Sequence, residues 1–352
     1  LRAVVYRGAR DLRVEELPLP VPERGEILVR VLASGICGTD LKKIDSGRLA
    51  APRVFGHEIA GTVAAAGPGV ERYREGDRVV VHHHVPCRSC FYCRHRHYAQ
   101  CETYKKNGTT AGFEPSGGGY AQFVKALPWI VEGGVIPIPD GVAFEEATFV
   151  EPVNTCLKAV RRAGIEKGQT VLVVGQGPIG LLLLQLARWA GADVLTSDTV
   201  PERLRMSREL GAEAAFDAAL DVAREVRGLT EGRGVDCVLL AAVGPSAFRQ
   251  AFDAARPGGR IMVFAATSPG EMAEVDLGVL CASEKEILTS YSSSVDVQDL
   301  AARLVFSREV RVRELVTNRF PLDRAGEAFA LAAKPERGTL KVVLEPHAIG
   351  AR

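Results

Sequence analysis

Thr170-Val-Leu-Val-Val-Gly175-Gln-Gly177-Pro-Ile-Gly180 is an apolar run that breaks into three glycines, and the apolar segment Leu181 to Ala190 follows at once. A continuous run of Val and Leu fits a strand covered on both faces. The order strand, glycines, helix makes a dinucleotide site from a pattern that would be weak alone. Gly175 lets the chain turn, Gly177 lets a pyrophosphate approach, and Gly180 packs helix on strand. Pro178 and Ile179 open the helix, whose free N–H groups face the phosphates. The next strand, Asp193 to Asp198, ends in an acid 18 residues past Gly180. A carboxylate there accepts from the ribose hydroxyls of NAD and repels the extra phosphate of NADP. An N-cap role for Asp198 is compatible with this. Arg203 offers a charge that would instead grip a phosphate, so NAD is favoured while NADP stays open.

Outward from this turn, strands alternate with helices, as a doubly wound parallel sheet requires. Expected strands are Ala214 to Phe216, Val235 to Leu240, Arg260 to Ala265 and Glu286 to Tyr291, six in all with the first two. Beyond 291 the pattern predicts a helix near 296–306 and strands near 315–320 and 340–345. Before residue 155 the chain reads as short strands with Gly and Pro punctuation. Clear strands are Ala3 to Tyr6, Ile27 to Leu32, Ile59 to Ala66 and Arg78 to Val81. Val135 to Pro139 carries two prolines and leads out of this region. Gly117-Gly-Gly119 before Tyr120 to Val124 is expected to be a flexible loop feeding another strand, a linker of convenience.

Two sets of metal-ligand side chains lie in this first region. Cys87, Cys90, Cys93 and Cys101 form a C-x2-C-x2-C-x7-C run, whose four thiolates can close a tetrahedron around one zinc ion with no open position. An iron–sulfur cluster is disfavoured because no Pro follows the last Cys and there is no second cysteine set. His82, His83, His84, His95 and His97 are left to surface or packing roles. Cys37-Gly-Thr39-Asp40 and Gly56-His57-Glu58 supply a thiolate, an imidazole and a carboxylate, a set that could hold zinc with an open position. Cys156, Cys237 and Cys281 are expected to be small core residues, Cys156 close to this second metal set.

The composition is ordinary for a globular chain of 352 residues, long enough for two domains. A formal net charge of +1 gives no electrostatic footprint for nucleic acid or an anionic membrane, and disfavours a DNA-binding zinc module. The longest apolar run is too short to span a bilayer and no signal peptide opens the chain, so a soluble cytoplasmic protein is expected. The chain starts at Leu1, which implies an initiator lost or left out of the numbering. Clustered cysteines in such a chain favour metal over disulfides.

Gly56-His57-Glu58-x-x-Gly61-x5-Gly67-x2-Val70 resembles the signature of zinc-containing medium-chain alcohol dehydrogenases. With the four-cysteine lobe and the dinucleotide turn, the resemblance spans much of the chain. Glu151-Pro152 is similar to the Glu-Pro of the sorbitol and threonine dehydrogenase branch. The resemblance implies an α/β protein with three parts: a GroES-like β-rich catalytic domain at 1–154 with its zinc lobe at 87–101, a Rossmann NAD-binding domain at 155–291, and a 292–352 segment returning to the first. It implies two zinc ions, one catalytic and one structural, and NAD. Cys37 and His57 would be ligands of the catalytic ion, with Glu58 and Glu151 exchanging with water. Asp40 would orient His57, and Thr39 would take the substrate proton. Lys42 stands where the branch commonly has a histidine relay, and is expected to assist cofactor binding. The implied reaction turns a secondary alcohol or polyol and NAD into a ketone and NADH, in a homotetramer or dimer. An L-threonine 3-dehydrogenase and a non-catalytic, nucleotide-sensing zinc protein are the alternatives.

Overall fold

A computed structural model describes residues 1–242, 244–264 and 270–348. The chain forms two compact units, one from Leu1–Pro152 with Ser294–Arg352 and one from Val153–Ser293.

The second unit is built on six parallel strands in the spatial order Ala214–Asp217, Asp193–Asp198, Thr170–Val174, Val235–Leu240, Ala255–Val263 and Glu286–Thr289. Val171, Leu172 and Val173 are fully buried because helices cover both sheet faces, which is why the strand needs no polar alternation. On one of those helices, Pro178–Trp189, Leu181 to Leu184 are all at 0% exposure, each burial stabilising by roughly 1.5–3 kcal/mol. The last strand stops at Thr289 rather than Tyr291, and Tyr291 is exposed. Of the expected strand 260–265, residues 260–263 lie in Ala255–Val263, while Ala265 lies outside the described residues.

The first unit carries a sheet ordered Val316–Pro321, Lys341–Glu345, Ile27–Gly35, Glu58–Ala66, Arg78–Val81 and Val135–Pro137, with Thr109–Thr110 and Phe123–Ala126 joining beside Ile27–Gly35. A smaller sheet pairs Asp11–Glu16, Arg2–Gly8 and Arg53–Val54. Proline-bearing Val135–Pro137 takes the edge, where a missing N–H costs no ladder bond. The strand expected at 120–124 begins at Phe123, because Tyr120 and Ala121 turn inward at 1% and 0% exposure. Antiparallel register sets Gly35 opposite both Glu58 and Val343, so the strand starting at Glu58 and the late strand starting at Lys341 flank one position.

Two helices depart from the sequence reading. Gly38–Ser46 is a helix over residues to which the sequence reading gave no element: the Cys37 sulfur accepts from the Thr39 N–H as its N-cap, and Gly47 closes it in the left-handed region at φ 65°. Ala325–Ala333 is a second, packed by Ala325, Ala328 and Phe329. The triple glycine is no linker of convenience. A Cβ on Gly117, at φ 128°, would meet the Gly56 carbonyl oxygen at 2.5 Å, so the run lies flat against the backbone that precedes His57.

Candidate metal centres and nucleotide turn

Cys37, His57 and Glu58 converge from a helix cap, a loop end and a strand start until their ligand atoms lie within 4.8 Å of one another. His57 Nδ1 sits 3.0 Å from Asp40 Oδ2, which leaves Nε2 to face the cluster. The same carboxylate oxygen accepts from the Tyr120 hydroxyl at 3.0 Å and the Gly56 N–H at 3.2 Å. Burial would raise Asp40, yet His57, Lys43 and Tyr120 outweigh it and hold it below the usual carboxylate range. Burial likewise opposes charge on His57, but Asp40 and Cys37 hold its pKa well above 6.5, so the pocket favours positive charge where a cation would sit.

Glu58 is 1% exposed and sits against Lys341, itself 6% exposed. Lys341 Nζ donates to Oε1 at 2.6 Å and also contacts Oε2, so the ammonium straddles both carboxylate oxygens. A buried carboxylate beside a thiol and an imidazole is the donor chemistry zinc takes, and each carboxylate oxygen has a second lone pair besides the one facing Lys341. Gly35 makes the room: a Cβ there would stand 2.0 Å from Glu58 Oε2 and 2.8 Å from Lys341 Cε. Glu151 is buried but is not one of the three mutually close ligands; burial first, then Glu58, lift its pKa to about 7 against the pull of His57 and Lys341. Thr39 is half-buried on the capped helix two residues from Cys37, and Lys42 is exposed on the same helix.

The four cysteines of the lobe also gather within 4.8 Å. The Cys87 sulfur lies 3.9 Å from that of Cys93 and 3.6 Å from that of Cys101, bracketing the roughly 3.8 Å edge of a tetrahedron with 2.3 Å zinc–sulfur bonds. The Cys90 N–H points to the Cys87 sulfur and the Cys87 N–H to that of Cys101, each at 3.4 Å, as suits thiolates. The histidines beside the lobe do pack: His83 stacks between His57 at 4.7 Å and His84 at 3.8 Å, and His82 and His83 are buried. Cys156 and Cys237 are core residues, but Cys281 is exposed, against expectation, on the short Leu277–Ala282 helix, none of whose residues is buried.

In the second unit the glycines divide their work as their surroundings demand. Gly175 has φ 90°, a Cβ on Gly180 would strike the Gly175 carbonyl at 1.7 Å, and a Cβ on Gly177 would meet nothing within 4 Å, leaving an open approach. Asp198 is buried; its Oδ1 accepts from the Val200 N–H at 2.8 Å and its Oδ2 from the Gln176 N–H within the glycine turn. The acid therefore braces the turn and still has lone pairs for a ribose. Arg203 is half-buried, with Nε unpartnered among the described residues.

Sequence reasoning missed Tyr120, Lys341 and Gly35. The one available signal was a lysine opening the apolar strand Lys341-Val-Val-Leu.

A dinucleotide-type sheet with one closed sulfur site and one mixed-donor site defines a zinc-dependent dehydrogenase. Residues 23–140 match the alcohol dehydrogenase GroES-like domain and 178–307 match the zinc-binding dehydrogenase domain, and the chain belongs to that family. It is 32% identical to sorbitol dehydrogenase of Macaca fascicularis (93% of this chain, 91% of that one). It is 30% identical to L-threonine 3-dehydrogenase of Pyrococcus abyssi (96% and 97%). Among solved structures, 2R,3R-butanediol dehydrogenase from Bacillus subtilis superposes with a TM-score of 0.85 at 28% identity, covering 98% of this chain and 99% of that one.

Proposed function

We propose that this protein oxidises a secondary alcohol or polyol with NAD, giving a ketone and NADH. The observation that carries the reading is the convergence of a thiol, an imidazole and a buried carboxylate, Cys37, His57 and Glu58, whose ligand atoms lie within 4.8 Å of one another. Cys37 and His57, with Glu58 and Glu151 exchangeable, would hold one zinc ion; Cys87, Cys90, Cys93 and Cys101 would hold the other. The first ion supplies Lewis acidity toward the alcohol oxygen, and NAD accepts the hydride. Asp40 keeps His57 in the tautomer that presents Nε2, and Tyr120 fixes Asp40 in turn. Lys341 balances the charge of Glu58 in its buried setting and contacts both of its oxygens. Thr39 takes the substrate hydroxyl proton toward solvent. Asp198 receives the ribose hydroxyls, Gly177 and the start of the Pro178–Trp189 helix receive the pyrophosphate, and Arg203 and Lys42 add charge toward the cofactor.

The protein works in the cytoplasm as a homo-oligomer, a tetramer or dimer; light scattering on the purified protein tests the assembly. No helix among the described residues is long and apolar enough to cross a membrane. Likeness to a threonine dehydrogenase keeps that substrate in the test, although Lys42 replaces the relay histidine implied for that branch. Zinc analysis with a screen of polyols, simple alcohols and threonine against NAD and NADP decides the matter. Two zinc ions and NADH formed from a polyol or simple secondary alcohol support the reading. One zinc ion and no turnover of any substrate would sink it.

A further inference from the structure

The first unit holds a pocket of about 460 Å³ in which Lys43, Arg53, Lys105 and Lys106 face a single acid, Glu114. Among the described residues no ion pair engages Arg53, Lys105 or Lys106, and Lys43 reaches only Asp40 Oδ1, at 3.9 Å. Like charges gathered in one concavity repel one another and focus a positive potential, so folding bears a cost that an anion would relieve.

The pocket adjoins the candidate metal site in the same unit. Lys43 follows Thr39 by four residues in the Gly38–Ser46 helix, so both side chains share one face about 6 Å apart along the axis. Phe55, another wall residue, is separated from His57 only by Gly56. The Lys106 carbonyl lies 3.4 Å from His84 Nδ1, and the His84 ring leads through His83 to His57. A substrate whose reacting hydroxyl meets Thr39 would extend a few carbon atoms onward into these cations.

We propose that the substrate is a small anionic alcohol, a polyol or hydroxy acid whose far end carries a phosphate or carboxylate held by Arg53, Lys105 and Lys106. This rests on the dehydrogenase reading above and narrows it. The reaction is otherwise unchanged: the carbinol hydrogen leaves as hydride to NAD, the hydroxyl proton leaves through Thr39, and the products are an anionic ketone, NADH and one proton.

The test compares matched substrates with the zinc-loaded enzyme: a neutral polyol, its terminal phosphate ester, and the corresponding aldonate. The anionic forms should show the higher kcat/KM, with a preference that shrinks as salt is raised. Whichever of phosphate and carboxylate is used better identifies the anion. Inorganic phosphate should inhibit competitively against the alcohol. Lys105→Gln with Lys106→Gln should cut the anionic-to-neutral ratio of kcat/KM by roughly tenfold to a hundredfold through KM, the size of lost charge-assisted hydrogen bonds. Lys105→Arg with Lys106→Arg should restore most of the ratio. Equal use of neutral and anionic substrates, or a ratio the glutamines leave alone, would overturn the anion assignment while the dehydrogenase reading stands. Absence of turnover with every alcohol would instead refute that underlying reading, and this proposal with it.

Discussion

Cys87, Cys90, Cys93 and Cys101 come from one short segment, whereas Cys37, His57 and Glu58 come from a helix cap, a loop end and a strand start, and lean on Asp40, Tyr120 and Lys341 besides. The first cluster uses four sulfurs and local backbone N–H groups. The second mixes three donor types inside a buried network of charges. A closed set of like ligands suits an ion whose task is to hold a loop; a mixed set with spare capacity suits an ion that must exchange a ligand. The difference lies in what surrounds the donors as much as in the donors themselves.

The sharpest way to break this comparison is to damage each cluster once. Cys37→Ser should remove turnover and one of two zinc ions while thermal unfolding stays near that of the parent. Cys93→Ser should lower the unfolding temperature and release the other ion, since structural zinc supplies on the order of 10 kcal/mol to folding. If Cys93→Ser spared stability and removed only turnover, the division of labour would be wrong.

Next in size is Lys341→Met, which leaves the Glu58 carboxylate buried without its cation. Breaking such a pair costs roughly 3–5 kcal/mol, whereas replacing both partners is often close to neutral. Denaturant unfolding should therefore show Lys341→Met well below parent and Lys341→Met with Glu58→Gln largely recovered. A single variant as stable as the parent would show that the pair contributes little.

A control lies in the other unit. Asp198→Ala should weaken NAD by about 1.5–3 kcal/mol and narrow the preference over NADP without changing zinc content, as charge-assisted bonds to ribose are lost. Because Asp198 also accepts from Gln176 and Val200, part of that loss should appear as a looser glycine turn. Equal use of both cofactors by the parent would place Arg203 ahead of Asp198. The smallest effect is expected from Lys42→Ala: exposed on its helix, Lys42 should raise the Michaelis constant for NAD and leave the pH profile of turnover in place. A displaced profile with unchanged NAD affinity would make it the relay.

The same contrast explains what could be read without coordinates. The cysteine lobe and the glycine turn are local, so spacing alone carries them, and Thr170–Val174, Asp193–Asp198 and Val235–Leu240 match the strands expected there. The Gly38–Ser46 helix was not legible because Gly38, Thr39 and Asp40 form helix poorly; its caps sustain it instead. Tyr120, Gly35 and Lys341 reach the mixed site only through antiparallel register and an inward turn of a glycine-rich segment. No period or motif encodes such a meeting.

Lys341 is 283 residues from Glu58, and that separation orders events during synthesis. Residues 153–293 are contiguous and can fold as soon as they emerge, as domains generally do. Residues 1–152 must wait, with every donor of the mixed site already made but the counter-charge for Glu58 still untranslated. A ribosome-stalled chain ending before Lys341 should thus resist protease across 153–293 and be cut within 1–152. Metal would then enter the mixed site only after the late strand has closed over it, so a fault in translation near the end of the message yields a chain that keeps its nucleotide turn and loses its chemistry.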